Sequence, residues 1–415
     1  MVLITPFKGY RVKKEFAQKV ASRPYDVITS EEAREEAREN PYSFLHVIKP
    51  EIDLSPETDV HSNEVYEKGR ENLEKLIEDG ILTQDPCSCF YIYAQEFQNR
   101  TQYGIVGCAH INDYINKKIK EHELTRPDKE LDRINIIKHH NFHAEPVFFA
   151  YNDIEEINSV VADITQNKAE YDFIADDGIK HYFWVVSDKK IIERIEEIFR
   201  NDVPCTYVAD GHHRTAAAVK IALERKQNNP EHTGQEDYNY FMAVHFPVSQ
   251  LKIMDYNRVI KDLNGNSTSE FIGKLKNSFY ITDKGKDEYR PAHLHEFSMY
   301  IDGRWYAMTS KEGTYDDNDP IGCLDVTILS RQVLAPLLNI TDLRNSKRID
   351  FVGGLRGLGE LKKRVDSGEM RIAFALYPVT MQQLTNIADT GNIMPPKTTW
   401  FEPKLRSGLV LHHMG

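Results

Sequence analysis

Paired cysteines are missing. The chain has five cysteines, Cys87, Cys89, Cys108, Cys205 and Cys323, an odd set with no CxxC spacing of a zinc site and no disulfide framework. They lie mostly in apolar or aromatic segments and are expected to be reduced core residues. No apolar run approaches the roughly 18 residues of a membrane-spanning helix. The opening MVLITPFKGYRVKK places its charges after a short apolar stretch, the reverse of a secretory signal. Together these predict a cytoplasmic protein with no membrane partner. An excess of positive charge is also lacking: 52 Lys and Arg against 64 Asp and Glu leave a net charge of −12, which argues against non-specific nucleic-acid binding. A local basic pocket is compatible with that sum. Internal repeats, low-complexity tracts and a phosphate-binding GxxxxGK loop are absent as well.

What is present is the length for roughly two or three domains in 415 residues, with strands alternating with helices along most of it. Thr29 and Ser30 open an acidic helix over Ser30–Glu39. The segment SNEVYEKGRENLEKLIEDG sets Tyr66, Leu73, Leu76 and Ile77 at helical spacing and stops at Gly80. CFYIYAQEF and QYGIVGCAHI read as a hairpin joined through QNRT. Further on, a strand over Val147–Tyr151, a helix over Ile154–Gln166, the strand KHYFWVV and the helix DKKIIERIEEIF follow in turn. The last hundred residues predict a helix over Thr327–Leu338, a strand over Ile349–Val352, a helix over Gly359–Ser367, a strand over Arg371–Leu376 and a helix over Thr380–Ala388. The stretch from Asn257 to Asp319 has a mixed pattern that defines no element. The fold class predicted is α/β, in the broad sense that includes α+β.

Three segments concentrate chemistry. Cys205–Ala209 reads as a buried strand and Thr215–Gln227 as a helix with Ala217, Ala218, Ile221 and Ala222 on one face, so Asp210-Gly211-His212-His213-Arg214 lies at a strand-to-helix turn. The first N–H groups of a helix lack intrahelical partners and carry the positive end of its dipole, so this turn suits an anion such as phosphate. Arg214 can grip oxygens bidentately. The alternative is that Asp210 only caps the helix while the histidines and arginine are solvated. In EHELTRPDKELDR, Glu123 beside His122 suits a general base; a solvated charged helix is the alternative. In MPPKTTWFEPK, the prolines forbid a helix and Lys397, Thr398 and Thr399 offer an ammonium and two hydroxyls to one anion, unless this is only a surface loop. VGGLRGLGE does not fit the dinucleotide fingerprint and reads as a strand-to-helix turn. His139, His140 and His143 in KHHNFH lack the partners of a zinc site.

VADGHHRTAAA, KEHELTRP and MPPKTTWFEP resemble the three signature segments of the free serine kinases, whose fold is shared with the ParB partition proteins and sulfiredoxin. The chain as a whole looks like the longer bacterial branch of that group, pyrophosphate-dependent serine kinases from a family long catalogued as of unknown function. The motifs cover roughly Lys118 to the C-terminus and, more loosely, FKGYRV and RPYDVI. The resemblance implies an N-terminal α/β region at 1–117 and a ParB/sulfiredoxin-like kinase core at 118–415. It implies that Glu123 is the base for the serine hydroxyl and that Asp210 is a second essential carboxylate near the reacting centre; which carboxylate holds the metal stays open, with Asp210 a candidate. His212, His213, Arg214, Lys397, Thr398 and Thr399 would hold phosphate, and His122 and Thr125 would lie at the serine. Partners would be L-serine, pyrophosphate and Mg²⁺, since a polyanionic donor needs charge neutralisation.

The departures concern the donor. The first hundred or so residues have no counterpart in the shorter kinases, and the gap between Glu123 and Asp210 is longer here, so an ATP- or ADP-dependent serine kinase is the nearest rival. A ParB-like nucleotide-binding DNA clamp would need a basic helix-turn-helix, and a sulfiredoxin-like reductase would need a cysteine in the phosphate turn. Neither feature is found. The oligomeric state is left open.

Overall fold

Gln98 and Asn99 take the left-handed backbone, φ 51° and 60°, and so close the two-residue hairpin between Phe90–Phe97 and Arg100–His110. The loop is shorter than expected: Arg100 and Thr101 already belong to the second strand. This hairpin is the centre of a nine-stranded mixed sheet in the computed structural model, which describes residues 1–415.

The chain forms two compact units. The first comprises Met1–Glu121, Thr125–Leu251 and Pro403–Gly415; the second comprises His122–Leu124 and Lys252–Glu402. The expected boundary between 117 and 118 falls inside the first unit, because its sheet crosses that point. Thr206–Asp210 runs parallel to Ile119–Lys120 and antiparallel to Val147–Tyr151. Tyr240–Pro247 then links Val147–Tyr151 to Arg100–His110. Lys180–Val186 and Tyr171–Ile174 continue the sheet beyond Phe90–Phe97. A four-stranded sheet in the same unit pairs Tyr10–Val12 with Val410–His413, so both ends of the chain share it.

Helices cover the large sheet because their apolar residues recur at helical spacing. Ile195, Ile198 and Phe199 of the helix Lys189–Asp202 pack with Ile157 and Ile164 of Glu155–Thr165 and with Phe90 and Ile92 of the sheet. Each such side chain contributes roughly 1.5–3 kcal/mol on burial. The helix His212–Asn228 lays Ala217, Ala218, Ile221 and Ala222 against Val208, Phe149 and Phe241, where small side chains let helix and sheet approach closely.

In the second unit six antiparallel strands form one sheet, ordered Phe279–Gly285, Arg304–Ser310, Glu296–Ile301, Ile372–Leu376, Tyr256–Ile260 and Ile349–Gly353. The helix Gly357–Asp366 packs Leu358, Leu361 and Val365 on Val259, Tyr300 and Ala373. The expected helix over Thr327–Leu338 is instead α-helical only at Asp325–Leu329 and widens to a π-turn at Ser330–Leu334. There the Ser330 hydroxyl donates to the Val326 carbonyl, 2.7 Å, a back-bond that disturbs helical pairing.

All five cysteines are free. Cys89 and Cys108 are buried as expected, but Cys87 is exposed and Cys205 and Cys323 are only half-buried, since they lie in connections outside the strands and helices. His139, His140 and His143 diverge at Asn141, whose φ of 59° ends the helix Pro127–His140. No helix is long and apolar enough to cross a membrane.

Candidate functional site

The strand Thr206–Asp210 ends in a bulge between Val208 and Asp210. Gly211 then turns the chain with φ 95° and caps the helix His212–Asn228. Only glycine suits this position, because the backbone is left-handed and an added Cβ would lie 3.2 Å from Arg214 Nε. Thr215 N–H makes the first bond back into the helix, to the Gly211 carbonyl at 2.9 Å. The N–H groups that precede it lie at the positive end of a long helix.

No side chain caps this helix. The Asp210 carboxylate turns instead to two cations, with Oδ2 at 3.5 Å from both Lys404 Nζ and Arg214 Nη2. Burial alone would push its carboxyl up, but Lys404, Arg214 and His212 outweigh burial and hold it below the usual carboxylate range. Asp210 is therefore an ionised acid held between basic groups, and the simple capping alternative does not describe it.

Arg214 is buried and braced from behind. Its Nη1 donates to the Pro146 carbonyl. Burial opposes its charge, yet Asp210, Asp26, Glu145 and Tyr25 more than restore it. Glu145 in turn accepts from Tyr25 N–H at 3.3 Å and from Arg133 Nη1 at 3.2 Å. The Arg133 guanidinium stacks 3.5 Å above the centre of the Tyr25 ring. The segment RPYDVI thus enters the site through the support of Arg214.

His213 accepts a hydrogen bond from Arg126 N–H through Nε2, 3.0 Å. A backbone N–H can only donate, so the neutral imidazole carries its proton on Nδ1. Burial lowers its pKa, against the pull of Asp26 and Glu130. His212 is buried in the same helical turn. The Thr125 hydroxyl donates to Glu130, which also pairs with Lys220. The helix that follows is not a solvated charged rod, because Glu130, Asp132 and Arg133 are all buried.

In the second unit, His122 and Glu123 lie on the three-residue passage of the chain through that unit. Met394 N–H donates to the His122 carbonyl at 2.8 Å, and His122 Nε2 lies 3.2 Å from Thr399 Oγ1. His122 is buried and Glu123 half-buried. Lys397 is exposed, with φ 60°. Its ammonium stands 5.8 Å above the Tyr256 ring. Thr398 is buried and donates to the Pro395 carbonyl at 2.6 Å.

The structure thus gathers Asp210, His212, His213, Arg214 and Thr125 in the first unit, and His122, Glu123, Lys397, Thr398 and Thr399 in the second. Sequence reasoning missed Lys404, Glu130, Glu145 and Tyr25 as members. Nothing in linear order pairs Lys404 with Asp210. The basic residue following Glu402-Pro403 in a segment already singled out is the one available signal. For a metal, Asp210 is the carboxylate of this turn, and its Oδ2 is already turned to two cations.

Residues 4–327 match the family described as "protein of unknown function (DUF1015)". Among curated proteins there is no match. Among solved structures, a mutant free serine kinase in complex with AMP is similar at 12% identity and TM-score 0.36, over 72% of this chain and 87% of that one. A conserved hypothetical protein from Pyrococcus furiosus is similar at 14% identity and TM-score 0.36, over 73% and 93%. SbnI from Staphylococcus aureus, with a C-terminal truncation, is similar at 10% identity and TM-score 0.30, over 72% and 82%. Likenesses of this size leave the function to be argued from the residues.

Proposed function

The chain belongs to the DUF1015 family, and from the residues of its two units we propose that it is a phosphotransferase that converts free L-serine to O-phospho-L-serine with pyrophosphate as donor. The observation that carries this reading is the Asp210–Arg214 turn. There a glycine-capped helix start, a buried arginine and Lys404 surround an ionised carboxylate that does no capping. Such a set binds a multiply charged oxyanion and leaves an acid available beside it. The resemblance of the three signature segments supports serine as acceptor.

In this reading Glu123 takes the proton of the serine hydroxyl. The serine oxygen bonds to one phosphorus of pyrophosphate, the bridging P–O bond breaks, and inorganic phosphate leaves with the bridging oxygen. Arg214, Lys404, Lys397 and the helix start of His212–Asn228 neutralise charge on the donor, and Thr399 and His213 supply further polar contacts, whereas the expected role of the Thr398 hydroxyl is corrected: it gives its one proton to the Pro395 carbonyl and has none for a phosphate oxygen. His122 and Thr125 are assigned to the serine side. Mg²⁺ would take one or two carboxylates beside phosphate and water oxygens, and Asp210 would be the carboxylate that holds it. When bound, it supplies charge neutralisation on the donor. The five free cysteines accord with a cytoplasmic setting.

The test is direct. The protein is incubated with L-serine, Mg²⁺ and, in separate arms, pyrophosphate, ATP or ADP, and phosphoserine is measured. Product with pyrophosphate is expected, preference for ATP or ADP would replace the donor, and no product in any arm would refute the reading. Glu123→Gln is expected to abolish turnover with an unchanged circular-dichroism spectrum; activity in that variant would remove Glu123 from the role of base.

A further inference from the structure

Arg258 is 1% exposed and lies on the strand Tyr256–Ile260, paired in register with Phe351 on one side and Phe374 on the other. A guanidinium buried without a carboxylate is costly, and none compensates this one: burial pushes its pKa down to about 10, with only Tyr256 opposing. Its identified bonds go to carbonyls. Nη1 donates to Tyr256, and Nη2 donates to the Lys397 carbonyl at 2.8 Å.

Lys397 is the residue with φ 60°, a left-handed backbone that costs an ordinary L-residue energy and persists only where its surroundings impose it. Alternation along the strand puts Tyr256 on the same face as Arg258. From there its ring faces the Lys397 ammonium at 5.8 Å and meets Trp400 edge-on at 5.0 Å. Trp400 closes the far end of the loop: its carbonyl accepts from Met254 N–H at 2.7 Å, and its ring leaves no space for a Cβ on Gly353. The backbone and the ammonium of Lys397 are thus both referred to one strand.

We propose that Arg258 is the positioning residue of the Lys397 loop, holding the left-handed conformation of Lys397 through its carbonyl and so setting where the Lys397 ammonium is presented to the phosphate donor. The catalytic meaning of this role rests on the phosphotransferase reading. The conformational role does not.

The experiment therefore has two readouts. Amide hydrogen exchange is followed in wild type and Arg258→Met. Amides of Lys397–Trp400 are expected to exchange at least about tenfold faster in the variant, with the hairpin Glu296–Ile301/Arg304–Ser310 unchanged. Unchanged exchange in the loop, or equal acceleration everywhere, would overturn the proposal. In kinetics, KM for pyrophosphate is expected to rise about tenfold while KM for serine stays constant, and Arg258→Met is expected to add nothing once Lys397→Ala is present. Additive effects of the two substitutions would overturn it. Should Arg258→Met fail to fold, Arg258→Lys keeps the charge but loses the fork that reaches two carbonyls, and the same exchange comparison decides. If wild type makes no phosphoserine, the phosphotransferase reading falls, and the exchange result alone settles the conformational role.

Discussion

Gly211 shows how much one residue type controls here. Its φ of 95° and its closeness to Arg214 mean that Gly211→Ala adds both backbone strain and a contact on the guanidinium. Destabilisation of about 1–2 kcal/mol is expected, together with a loss of phosphoserine formation larger than the fraction unfolded accounts for; urea midpoints and the product assay measure the two. Lys404 acts on Asp210 through charge. Asp210 has a depressed folded pKa, so its contribution to stability is present above the unfolded value of about 3.9 and lost as pH falls through the folded value. Lys404→Met removes one cause of that depression. The acid limb of the pH–rate profile is expected to move to higher pH, and a limb that stays in place would separate Lys404 from the ionisation of Asp210.

At the scale of elements, helices with a full apolar stripe and the hairpin were legible, because their periodicity is written in neighbouring residues. The helix Lys189–Asp202 shows this through Ile195, Ile198 and Phe199. The stretch from Asn257 to Asp319 was not, and its strands show why. Glu296–Ile301 is buried at every position, whereas Phe279–Gly285 is an edge strand open to solvent at most of its positions. Neither alternates as a half-buried strand does. VGGLRGLGE reads as a strand-to-helix turn and does join the strand Ile349–Gly353 to the helix Gly357–Asp366, but the glycine that ends the strand serves packing. A Cβ on Gly353 would stand 2.8 Å from the Trp400 ring. Gly353→Ala is accordingly expected to displace Trp400, seen as a shift in tryptophan fluorescence, and to lower stability by about 1–3 kcal/mol in denaturant melts.

Over the whole molecule, buried imidazoles set the response to acid. Burial pushes His140, His181, His245 and His412 down to about 3, and His143 well below its ordinary value, with His412 and Arg225 adding to the effect. All five belong to the first unit. His143 and His412 stack across paired strands with ring centres 5.7 Å apart, so His412 opposes a charge on His143, while His413 opposes one on His412. Between about 6.5, the unfolded value, and about 3, the unfolded chain binds more protons than the folded one. The stabilisation is therefore complete above about pH 6.5 and is lost as pH falls towards 3. The urea midpoint is expected to be lower at pH 5.5 than at pH 7.5, and an unchanged midpoint would show that these histidines are not buried neutral.

The sequence by itself determined the strand-to-helix turn at Asp210–Arg214, because a strand end, a glycine and a helix start are consecutive, and that its first N–H groups lack intrahelical partners follows from helix geometry alone. It also determined most helices and the mixed α/β class. Only the tertiary structure decided that Asp210 is an ion-paired acid and not a cap, that Lys404 is its partner, and that Arg258 holds Lys397. The physical reason is common to these cases. Each depends on a charge being desolvated beside a group far away in the chain, and neither burial nor such a neighbour is encoded in local periodicity. The same reason explains why the sheet of the first unit runs through the boundary expected near residue 117: strand pairing joins Arg100–His110 to Tyr240–Pro247 through backbone bonds that any side chains permit, and the choice of partner is made by the packed whole.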